Sequence, residues 1–404
     1  MMYDITIIGA GIVGLATAYQ LLAQQPDLKI CIIEKEAGPA QHQTGHNSGV
    51  IHSGIYYPPG GTRALHCQRG YRLLLEFAQM HDIPHDICGK VIVATNEAEN
   101  ARLDTILERG FANGMTGIRR ISREELLEKE PHATGGIAAI WVPQAGIIHY
   151  RTVAEKYLDI VQSQGATAHF QAKVQQIKIQ ERELVVVADK VEAITRLVIN
   201  CAGLYSDKVA ALSAPPRGIQ ILPFRGEYYN LKPERQYLVR NLIYPTPNPN
   251  FPFLGVHFTR MIQGGIEAGP NAVLAFRREG YHRSDFHAQE LLETLAFSGF
   301  RRIVRKYWRD GLAELKRSYF KSAFVQSLQT LVPDIRAEDL TPGGAGVRAM
   351  ACDATGNLID DFLIFEDDRV INVCNAPSPA ATASLAIGET IAGKARIRLR
   401  RFKS

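Results

Sequence analysis

The first 34 residues constrain the fold more than any other part of the chain. Residues 3–8 form an apolar run with the length of a buried parallel strand, and a glycine-rich turn follows at residues 9–14. The pattern is then helical to residue 24, and a second apolar run at residues 29–33 leads directly to an acid. Strand, glycine turn, helix, strand and acid in this order predict the start of a dinucleotide-binding fold rather than an ordinary strand–turn–helix.

The glycines and the acid of this stretch have separate predicted roles. Gly9 allows a tight turn after the strand, Gly11 lets backbone N–H groups approach a pyrophosphate, and Gly14 lets the helix pack closely on the sheet. The helix then presents the positive end of its dipole to the phosphates. Glu34 lies 20 residues after Gly14, where a carboxylate accepts hydrogen bonds from a ribose.

Two kinds of strand pattern alternate along the 404 residues and predict two interleaved domains. Strand–helix alternation predicts a Rossmann-like, parallel-sheet nucleotide domain built from residues 1–75, 150–210 and 340–404. Alternating apolar and polar strands in residues 76–149 and 211–339 predict an antiparallel-sheet domain, which we expect to bind the substrate. The predicted fold class is therefore α/β, or α+β over the whole chain.

Composition and cysteine use are typical of a cytoplasmic enzyme. The chain is 46% hydrophobic and 22% charged, and it has no apolar run near the roughly 18 residues that a membrane span needs. The first strand follows Met1 and Met2 directly, so we expect no signal peptide. The six cysteines form no C-x-x-C pair, which predicts buried thiols in a reducing compartment and no metal site.

The net charge of +5 is concentrated in two segments. Residues 300–324 carry eight Lys and Arg against two acids, and residues 394–404 carry six against none. Apolar residues in the first segment recur every three or four positions, which predicts an amphipathic helix. Two interpretations stay open: this face packs on the protein's own sheet, or it contacts an anionic membrane surface peripherally. The apolar face comprises Phe300, Ile303, Val304, Tyr307, Trp308, Leu312, Leu315 and Tyr319.

Four motifs together indicate a family. The N-terminal glycines are accompanied by residues 198–203 (V-I-N-C-A-G), by the triplet Gly346-Val347-Arg348 and by a C-terminal strand–loop–helix pattern. With them, the whole chain resembles FAD-dependent oxidoreductases of the D-amino-acid-oxidase type, such as glycine oxidase, sarcosine oxidase and glycerol-3-phosphate dehydrogenase. The resemblance implies that the nucleotide domain is an FAD-binding domain.

Four longer blocks indicate one branch of this family. Residues 43–54, 223–228, 253–260 and 375–382 look like the L-2-hydroxyglutarate oxidase/dehydrogenase branch. That resemblance implies FAD-dependent oxidation of (S)-2-hydroxyglutarate to 2-oxoglutarate by hydride transfer to flavin N5, with a quinone or oxygen as the electron acceptor. It also implies FAD contacts at a set of loop and strand-end positions: Gly9, Gly11, Gly14, Glu34, Lys35, Thr44, Asn47, Ser48, Gly49, Val174, Ala202, Gly203, Asn375, Pro377 and Ala380.

The last of these loops departs from the amine-oxidising members of the family. Their final loop is glycine-rich, whereas residues 376–381 are rich in proline and alanine. Contacts around Asn375 are therefore not transferred directly from those members. The helix predicted from Ala380 points its N terminus at the edge of the sheet, where its dipole stabilises negative charge on a reduced flavin.

Oxidation of a 2-hydroxy acid requires a base for the hydroxyl proton, because an alcohol is much less acidic than an amine. Histidine suits this role near neutral pH. His52 and His257 are the two candidates, since each lies in a block typical of the branch. For either residue taken alone, a buried structural histidine is the alternative.

The carboxylates of the substrate require cations, preferably a bidentate arginine. Arg348 matches the family position that holds the substrate carboxylate in glycine oxidase. For a second carboxylate the candidates are Arg225, Arg260 and Arg277, with surface ion pairs as the alternative. Tyr57, like its neighbour Tyr56, is a candidate hydrogen-bond donor to the substrate, against the alternative of core packing.

Two other functions remain as alternatives. One is an FAD-dependent amine or amino-acid oxidase with the same fold, and the other is an NAD-dependent protein that uses the glycine turn alone. For the location, the expectation is the cytoplasm, either free or peripheral on the cytoplasmic face of the inner membrane. We expect no nucleic-acid partner.

Overall fold

A computed structural model describes residues 2–214, 218–249 and 251–401. In chain order the strands β1–β20 are Met2–Ile8, Ile30–Ile33, Val50–Ile51, His85–Asp86, Lys90–Ala94, Arg119–Ile121, Ala138–Val142, Gly146–Ile148, Thr167–His169, Val174–Ile179, Leu184–Ala188, Val191–Asn200, Ile219–Leu231, Leu242–Pro245, His257–Arg260, Ile266–Gly269, Val273–Leu274, Leu340–Asp353, Leu363–Glu366 and Val370–Asn375. The helices α1–α10 are Ile12–Gln24, Thr62–Met80, Glu97–Ala112, Arg123–Lys129, Tyr150–Ser163, Ser206–Ala210, Ala288–Ala296, Ser298–Tyr319, Lys321–Gln329 and Ser384–Arg401.

An eight-stranded sheet contains the predicted nucleotide-binding start. Six of its strands run in the order β10-β11-β12-β1-β2-β9. In addition, β20 pairs with β12, and β19 pairs with β20. β1 is central because it pairs in parallel with β12 on one side and β2 on the other. Buried apolar residues of α1, α2, α5 and α10 share one core with this sheet. α1 and α10 cross closely, since a Cβ at Gly388 would lie 2.7 Å from the Ala16 backbone.

A nine-stranded, mostly antiparallel sheet forms the second layer. Its order is β17-β13-β16-β15-β14-β5-β7-β6, and the long strand β18 pairs with β13. The sequence pattern predicts residues 340–353 as part of the nucleotide domain, but in the structure they form β18, which belongs to the nine-stranded sheet. β18 pairs with β13 over its whole length, from Ile219↔Asp353 to Leu231↔Leu340. We therefore propose that the third segment of the nucleotide domain begins after residue 353 instead of at residue 340.

A small sheet, β3-β8-β4, joins the two layers. β3 follows the polar loop at residues 43–49, so this pairing fixes the loop and the residues that come next. The predicted α/β fold class, with parallel and antiparallel sheets, is confirmed. No helix in the described ranges has the length and apolar character that a membrane crossing requires.

Two predicted elements differ from the structure. The strand predicted at residues 168–177 is two strands, β9 and β10, which pair with β2 and β11 respectively. They are separated at Gln171, whose φ is +53°, because the chain there turns to donate backbone hydrogen bonds to Glu36 and Glu34. The C-terminal helix α10 begins at Ser384 instead of Ala380, since residues 380–383 form turns.

Candidate active site

The turn between β1 and α1 has the shape of a phosphate cradle. Gly9 has a φ of +106°, and a Cβ there would lie 2.5 Å from the Cys201 carbonyl oxygen. A Cβ at Gly14 would lie 2.1 Å from the Gly9 oxygen, so neither position has room for a side chain. At Gly11 the nearest atom is the Thr44 hydroxyl oxygen, at 3.5 Å. The turn is therefore closed by packing at its two ends and open at its centre, which suits the approach of a pyrophosphate.

Two predicted cofactor residues hold this turn in place. The Thr44 hydroxyl accepts a hydrogen bond of 3.0 Å from the Ile12 N–H at the start of α1. One Glu34 oxygen accepts from the Ala10 N–H at 2.8 Å, and the other accepts from the Glu36 N–H at 3.0 Å. Both side chains thus connect the glycine turn to the loops that follow β2.

Lys35 lies at the centre of a polar cluster beside Glu34. Its ammonium donates to Glu36 and to Glu279, and it lies 3.0 Å from Nε2 of His42. Burial opposes the charged form, but the bonds to Glu279 and Glu36 outweigh it and raise the pKa of Lys35. Glu36, His42 and Glu279 have the spacing of metal ligands, and the ammonium already lies among them.

The loop at residues 43–49 is organised by its own side chains. The Asn47 amide donates to the carbonyls of Gln43 and Thr44, and its oxygen accepts from the Gly49 N–H. Gly49 has a φ of +65°, and a Cβ there would lie 2.6 Å from the Ile148 oxygen. The loop borders a cavity of about 230 Å³, whose other walls include Tyr228, Glu267 and Gly344. Ser48 bonds to Tyr244, on the second sheet.

The other predicted cofactor residues lie at strand ends near this turn. Ala202 donates to the Asn200 side chain, and Gly203 has a φ of +52°. The Asn375 amide donates to the carbonyls of Ile359 and Asp361, whereas its buried oxygen has no hydrogen-bond partner in the described part of the chain. Pro377 accepts from the Ala380 N–H within the following turn. Val174 begins β10 and packs beside Ile8 and Ile33.

One face of the nine-stranded sheet carries the polar groups of the second half of the site. Tyr244 on β14 lies opposite His257 on β15, because Leu242 pairs with Thr259. On β18, Arg348 lies opposite Phe224, two residues from Gly226. Side chains alternate between the faces of a sheet, so one face, which we call the polar sheet face, carries several polar residues. They include Lys90, Tyr228, Tyr244, His257 and Arg348. Glu267 lies on the same face, opposite Thr259, and burial raises its pKa to about 7.

The two predicted bases lie close enough for the charge of one to affect the pKa of the other. Burial, together with the charges of Lys90 and His257, lowers the pKa of His52 to about 3. Burial, together with the charges of Arg348 and Lys90, lowers the pKa of His257 to about 4. Both imidazoles are therefore neutral at pH 7. His52 also keeps partly accessible surface.

The hydrogen bonds of the two histidines differ. Nδ1 of His257 lies 2.9 Å from the Gly255 carbonyl oxygen, which can only accept, so this nitrogen carries the proton. Nε2 of His257 then has a free lone pair. His52 is held by its backbone N–H, which donates to the Thr382 hydroxyl, and its Nε2 lies 3.3 Å from the Ser378 hydroxyl.

Arg348 is a deeply buried cation. Its Nη1 donates to the Asn271 carbonyl at 3.2 Å, and its guanidinium carbon lies 5.7 Å from the centre of the Phe253 ring. Burial lowers the pKa of Arg348. Within the described ranges, no carboxylate forms an ion pair with it. Tyr57 is also buried, with its ring 4.5 Å from the guanidinium of Arg63.

The three candidates for a second carboxylate do not join this group. Arg225 lies on the opposite face of β13 and pairs with Glu227 at 3.0 Å. Arg260 pairs with Asp86 and lies on the face opposite to His257. Arg277 lies 3.5 Å from Glu279. Each of the three already has an acidic partner.

Sequence reasoning missed four residues of the polar sheet face: Lys90, Tyr228, Tyr244 and Glu267. Tyr228 has a sequence signal, because it closes the block at residues 223–228 that is typical of the branch. Tyr244 has no such signal, because aromatic residues are common in strands. Lys90 has one, since it opens the otherwise apolar strand Lys90–Ala94. A lysine in a fully buried strand is rare without a polar role.

Comparisons with known proteins show the family of the chain. The model of the family described as FAD dependent oxidoreductase matches residues 4–393. An L-2-hydroxyglutarate dehydrogenase of Indibacter alkaliphilus is 52% identical over 97% of this chain and 98% of its own length. A protein with the same name from Escherichia coli K12 is 45% identical over 97% of this chain and 93% of its own.

Solved structures show the same fold at lower identity. The L-alpha-glycerophosphate oxidase of Mycoplasma pneumoniae, determined with FAD bound, has a TM-score of 0.78 at 23% identity, covering 99% of this chain and 94% of its own. Glycine oxidase of Geobacillus kaustophilus has a TM-score of 0.74 at 15% identity, with 98% and 95% covered. At these identities the likeness supports the fold alone.

Proposed function

The chain belongs to the family of FAD-dependent oxidoreductases, and from that premise we propose that it oxidises L-2-hydroxyglutarate to 2-oxoglutarate. The observation that carries the proposal is the polar sheet face, where the neutral His257 imidazole lies between two buried cations, Arg348 and Lys90. The names of the relatives, at up to 52% identity, support the same substrate. The loop at residues 43–49 and Tyr228 of the polar sheet face border the same cavity.

We propose that the cofactor is FAD. The open space at Gly11, the carboxylate of Glu34 and the unpartnered buried oxygen of Asn375 fit such a group. Gly9, Gly14, Lys35, Thr44, Asn47, Ser48, Gly49, Val174, Ala202, Gly203, Pro377 and Ala380 would complete its site. When bound, FAD supplies an acceptor for the hydride that leaves the substrate carbon.

The chain's own residues would bind the substrate and move its proton. Arg348 would hold the carboxylate beside the reacting carbon, since a guanidinium binds a carboxylate through two N–H donors. His257 would take the hydroxyl proton at its free Nε2. Its low pKa in the absence of substrate results from burial and then from Arg348 and Lys90, so bound carboxylates would raise this pKa and strengthen the base.

Anaerobic mixing tests this function. Purified protein with the visible absorbance of a flavin should bleach when L-2-hydroxyglutarate is added, and it should not bleach with the D enantiomer or with glycine. Bleaching by amines or amino acids instead would indicate an amine oxidase. A colourless protein that reduces a nicotinamide cofactor would contradict the use of FAD.

We propose further that the electrons pass to a membrane quinone and that α8 binds the membrane surface. The apolar face of α8 is divided near Tyr307, where the helix is kinked. Before the kink, Phe300 and Ile303 are buried in one cluster with Leu222 and Phe224, whereas Val304 is exposed. After it, the apolar residues are exposed: Trp308, Leu312, Leu315 and Tyr319. Since Phe224 lies opposite Arg348 in the sheet, a membrane bound at α8 would lie close to the polar sheet face.

The basic residues of α8 support an anionic surface as the partner, whereas the C-terminal tail adds little. Lys306 and Arg309 accompany the exposed aromatic rings of α8. In the tail, Lys394 and Arg398 both pair with Glu366, and Lys403 lies outside the described residues. The membrane contact that we propose therefore depends on α8.

Sedimentation with anionic vesicles tests this contact. The protein should sediment with vesicles at low salt and be released at high salt, because charge attraction is screened. Trp308→Ser should weaken the binding, whereas Ile179→Ser, at an exposed position on β10, should leave it unchanged. Protein that stays in the supernatant at low salt would contradict the membrane proposal, and electron transfer to oxygen would then be the simpler route.

A further inference from the structure

Lys90 is a buried cation without an acidic partner. Its side chain is 1% exposed, and β5 lies between β14 and β7 in the nine-stranded sheet. Nζ lies 4.8 Å from the ring centres of Tyr56 and of Tyr244. In the part of the chain that the structure describes, no carboxylate forms an ion pair with this ammonium, and the one acidic group that acts on its pKa is the Cys67 thiol.

Such a group is costly for the folded protein. A buried ammonium loses its hydration, and aromatic rings offset only part of that loss. Burial lowers the pKa of Lys90 to about 8, so most of the lysine is still protonated at pH 7. The fold therefore retains a positive charge that an incoming anion would stabilise.

A second such cation acts on the same site. Arg348 likewise forms no ion pair with a described carboxylate, although Glu314 raises its pKa from a longer distance, and its guanidinium donates to the Asn271 carbonyl. Both cations lower the pKa of His257, so both act electrostatically on the imidazole that lies between them. All three residues belong to the polar sheet face. Two unpaired buried cations on either side of one base match the two charges of a dicarboxylate.

We propose that Lys90 binds the second carboxylate of the substrate while Arg348 binds the first, and that Lys90 thereby selects dicarboxylates over monocarboxylates. This inference rests on the proposed function, because it assumes that a 2-hydroxy acid reacts next to Arg348. It also explains why Arg225, Arg260 and Arg277 are not needed: their charges are already paired with Glu227, Asp86 and Glu279.

The first test compares two substrates in two variants. L-2-hydroxyglutarate carries the second carboxylate, and its 5-amide replaces that group with a neutral one of nearly the same shape. In Lys90→Met, kcat/KM for the dicarboxylate should fall by about 100-fold or more, and kcat/KM for the amide should change by less than about threefold. Lys178→Met, at an exposed position on β10, is the matched control and should leave both values unchanged.

The second test measures binding without turnover. Glutarate and butyrate differ in the second carboxylate and cannot be oxidised at a hydroxyl, so their effects on the flavin absorbance spectrum report binding alone. The unmodified protein should bind glutarate at least about 10-fold more tightly than butyrate, and Lys90→Met should lose this preference. The melting temperature of Lys90→Met should not fall in the absence of ligand, since the variant removes an unpaired buried charge.

The outcomes separate the two proposals. If the unmodified protein does not oxidise L-2-hydroxyglutarate, the proposed function fails. If it does so, but Lys90→Met and Lys90→Gln keep the preference for glutarate over butyrate, only the role of Lys90 fails. A lower melting temperature with an unchanged preference in either variant would assign Lys90 to the fold and overturn the inference.

Discussion

At the glycine turn, Glu34 and Thr44 already bond to the backbone N–H groups of Ala10 and Ile12. On the polar sheet face, in contrast, neither Lys90 nor Arg348 has a carboxylate partner among the described residues. The first region comes from a short stretch of chain and satisfies its own polar groups. The second collects residues from strands far apart in the sequence and leaves its charges unpaired. If the first region binds the cofactor and the second the substrate, as we propose, then the fit of the cofactor depends mainly on shape and that of the substrate mainly on charge.

The largest effect is expected at the centre of the glycine turn. Gly11→Val should remove nearly all FAD binding, because the side chain would fill the space where the backbone approaches the pyrophosphate. The melting temperature without cofactor should change little, since the nearest atom to this Cβ is the Thr44 oxygen at 3.5 Å. Flavin content after purification and thermal unfolding measure the two quantities.

Gly14→Ala is the companion variant for that prediction. Its Cβ would lie 2.1 Å from the Gly9 oxygen, so this change should lower the stability of the fold itself. A Gly11→Val protein that is yellow and fully loaded with flavin would show that the turn does not bind the pyrophosphate.

The next effect concerns the base on the polar sheet face. His257→Ala should slow flavin reduction by L-2-hydroxyglutarate by roughly 100- to 10,000-fold, the range typical of a lost general base. His52→Ala should have a smaller effect, because its Nε2 already lies near the Ser378 hydroxyl. Stopped-flow absorbance under anaerobic conditions measures both rates, and reduction at the unmodified rate in both variants would place the base elsewhere.

Two arginines on opposite faces of the same sheet provide a direct comparison of paired and unpaired charge. Arg348→Met should raise KM by an amount equivalent to about 2–4 kcal/mol, because it removes a buried partner of the substrate carboxylate. Flavin content should not change. Arg225→Met should leave KM unchanged and lower stability by about 3 kcal/mol, because Glu227 is then a buried acid with one cation fewer.

Steady-state kinetics and urea unfolding of the two variants decide between these effects. A raised KM in Arg225→Met would favour the original prediction that this residue binds substrate. An unchanged KM in Arg348→Met would assign that arginine to the structure.

The smallest effect is a dependence of stability on pH. An unfolded histidine takes up a proton near pH 6.5, whereas burial and nearby cations lower the pKa of folded His52 to about 3 and of folded His257 to about 4. The stabilisation from these neutral imidazoles is complete above pH 6.5. It is lost as the pH falls towards 4 and 3, because the unfolded chain then binds more protons.

At pH 5 the loss from His257 should be on the order of 2 kcal/mol. Urea unfolding at pH 7.5 and pH 5 measures it, and His257→Gln should show a smaller difference between the two pH values than the unmodified protein. An equal pH dependence in the variant would mean that His257 is not buried in its neutral form.

Local patterns in the sequence were enough to predict the family and the order of the first elements, and they also gave the proposed cofactor residues, because all of these depend on neighbours in the chain. A tight turn, a helix N terminus and an acid 20 residues later are local features with their own physical requirements. The same local reasoning predicted His52 and His257 as candidate bases and Arg348 as a carboxylate partner, but it did not show how the three side chains are arranged in space.

Which charged side chains lie on the same face of the sheet depends on the tertiary structure. A strand pattern shows that side chains alternate, but the face on which a given arginine lies depends on the register with strands far away in the sequence. The family resemblance favoured Arg348 over Arg225, but the pattern of the strands does not show which arginine is paired with an acid. The pairing of β13 with β18 places them on opposite faces, where Arg225 is bonded to Glu227 and Arg348 has no carboxylate partner among the described residues. Lys90 became a candidate for binding the second carboxylate for the same reason. That no described carboxylate pairs with it follows from the packing of the whole sheet, and the sequence of its own strand does not show it.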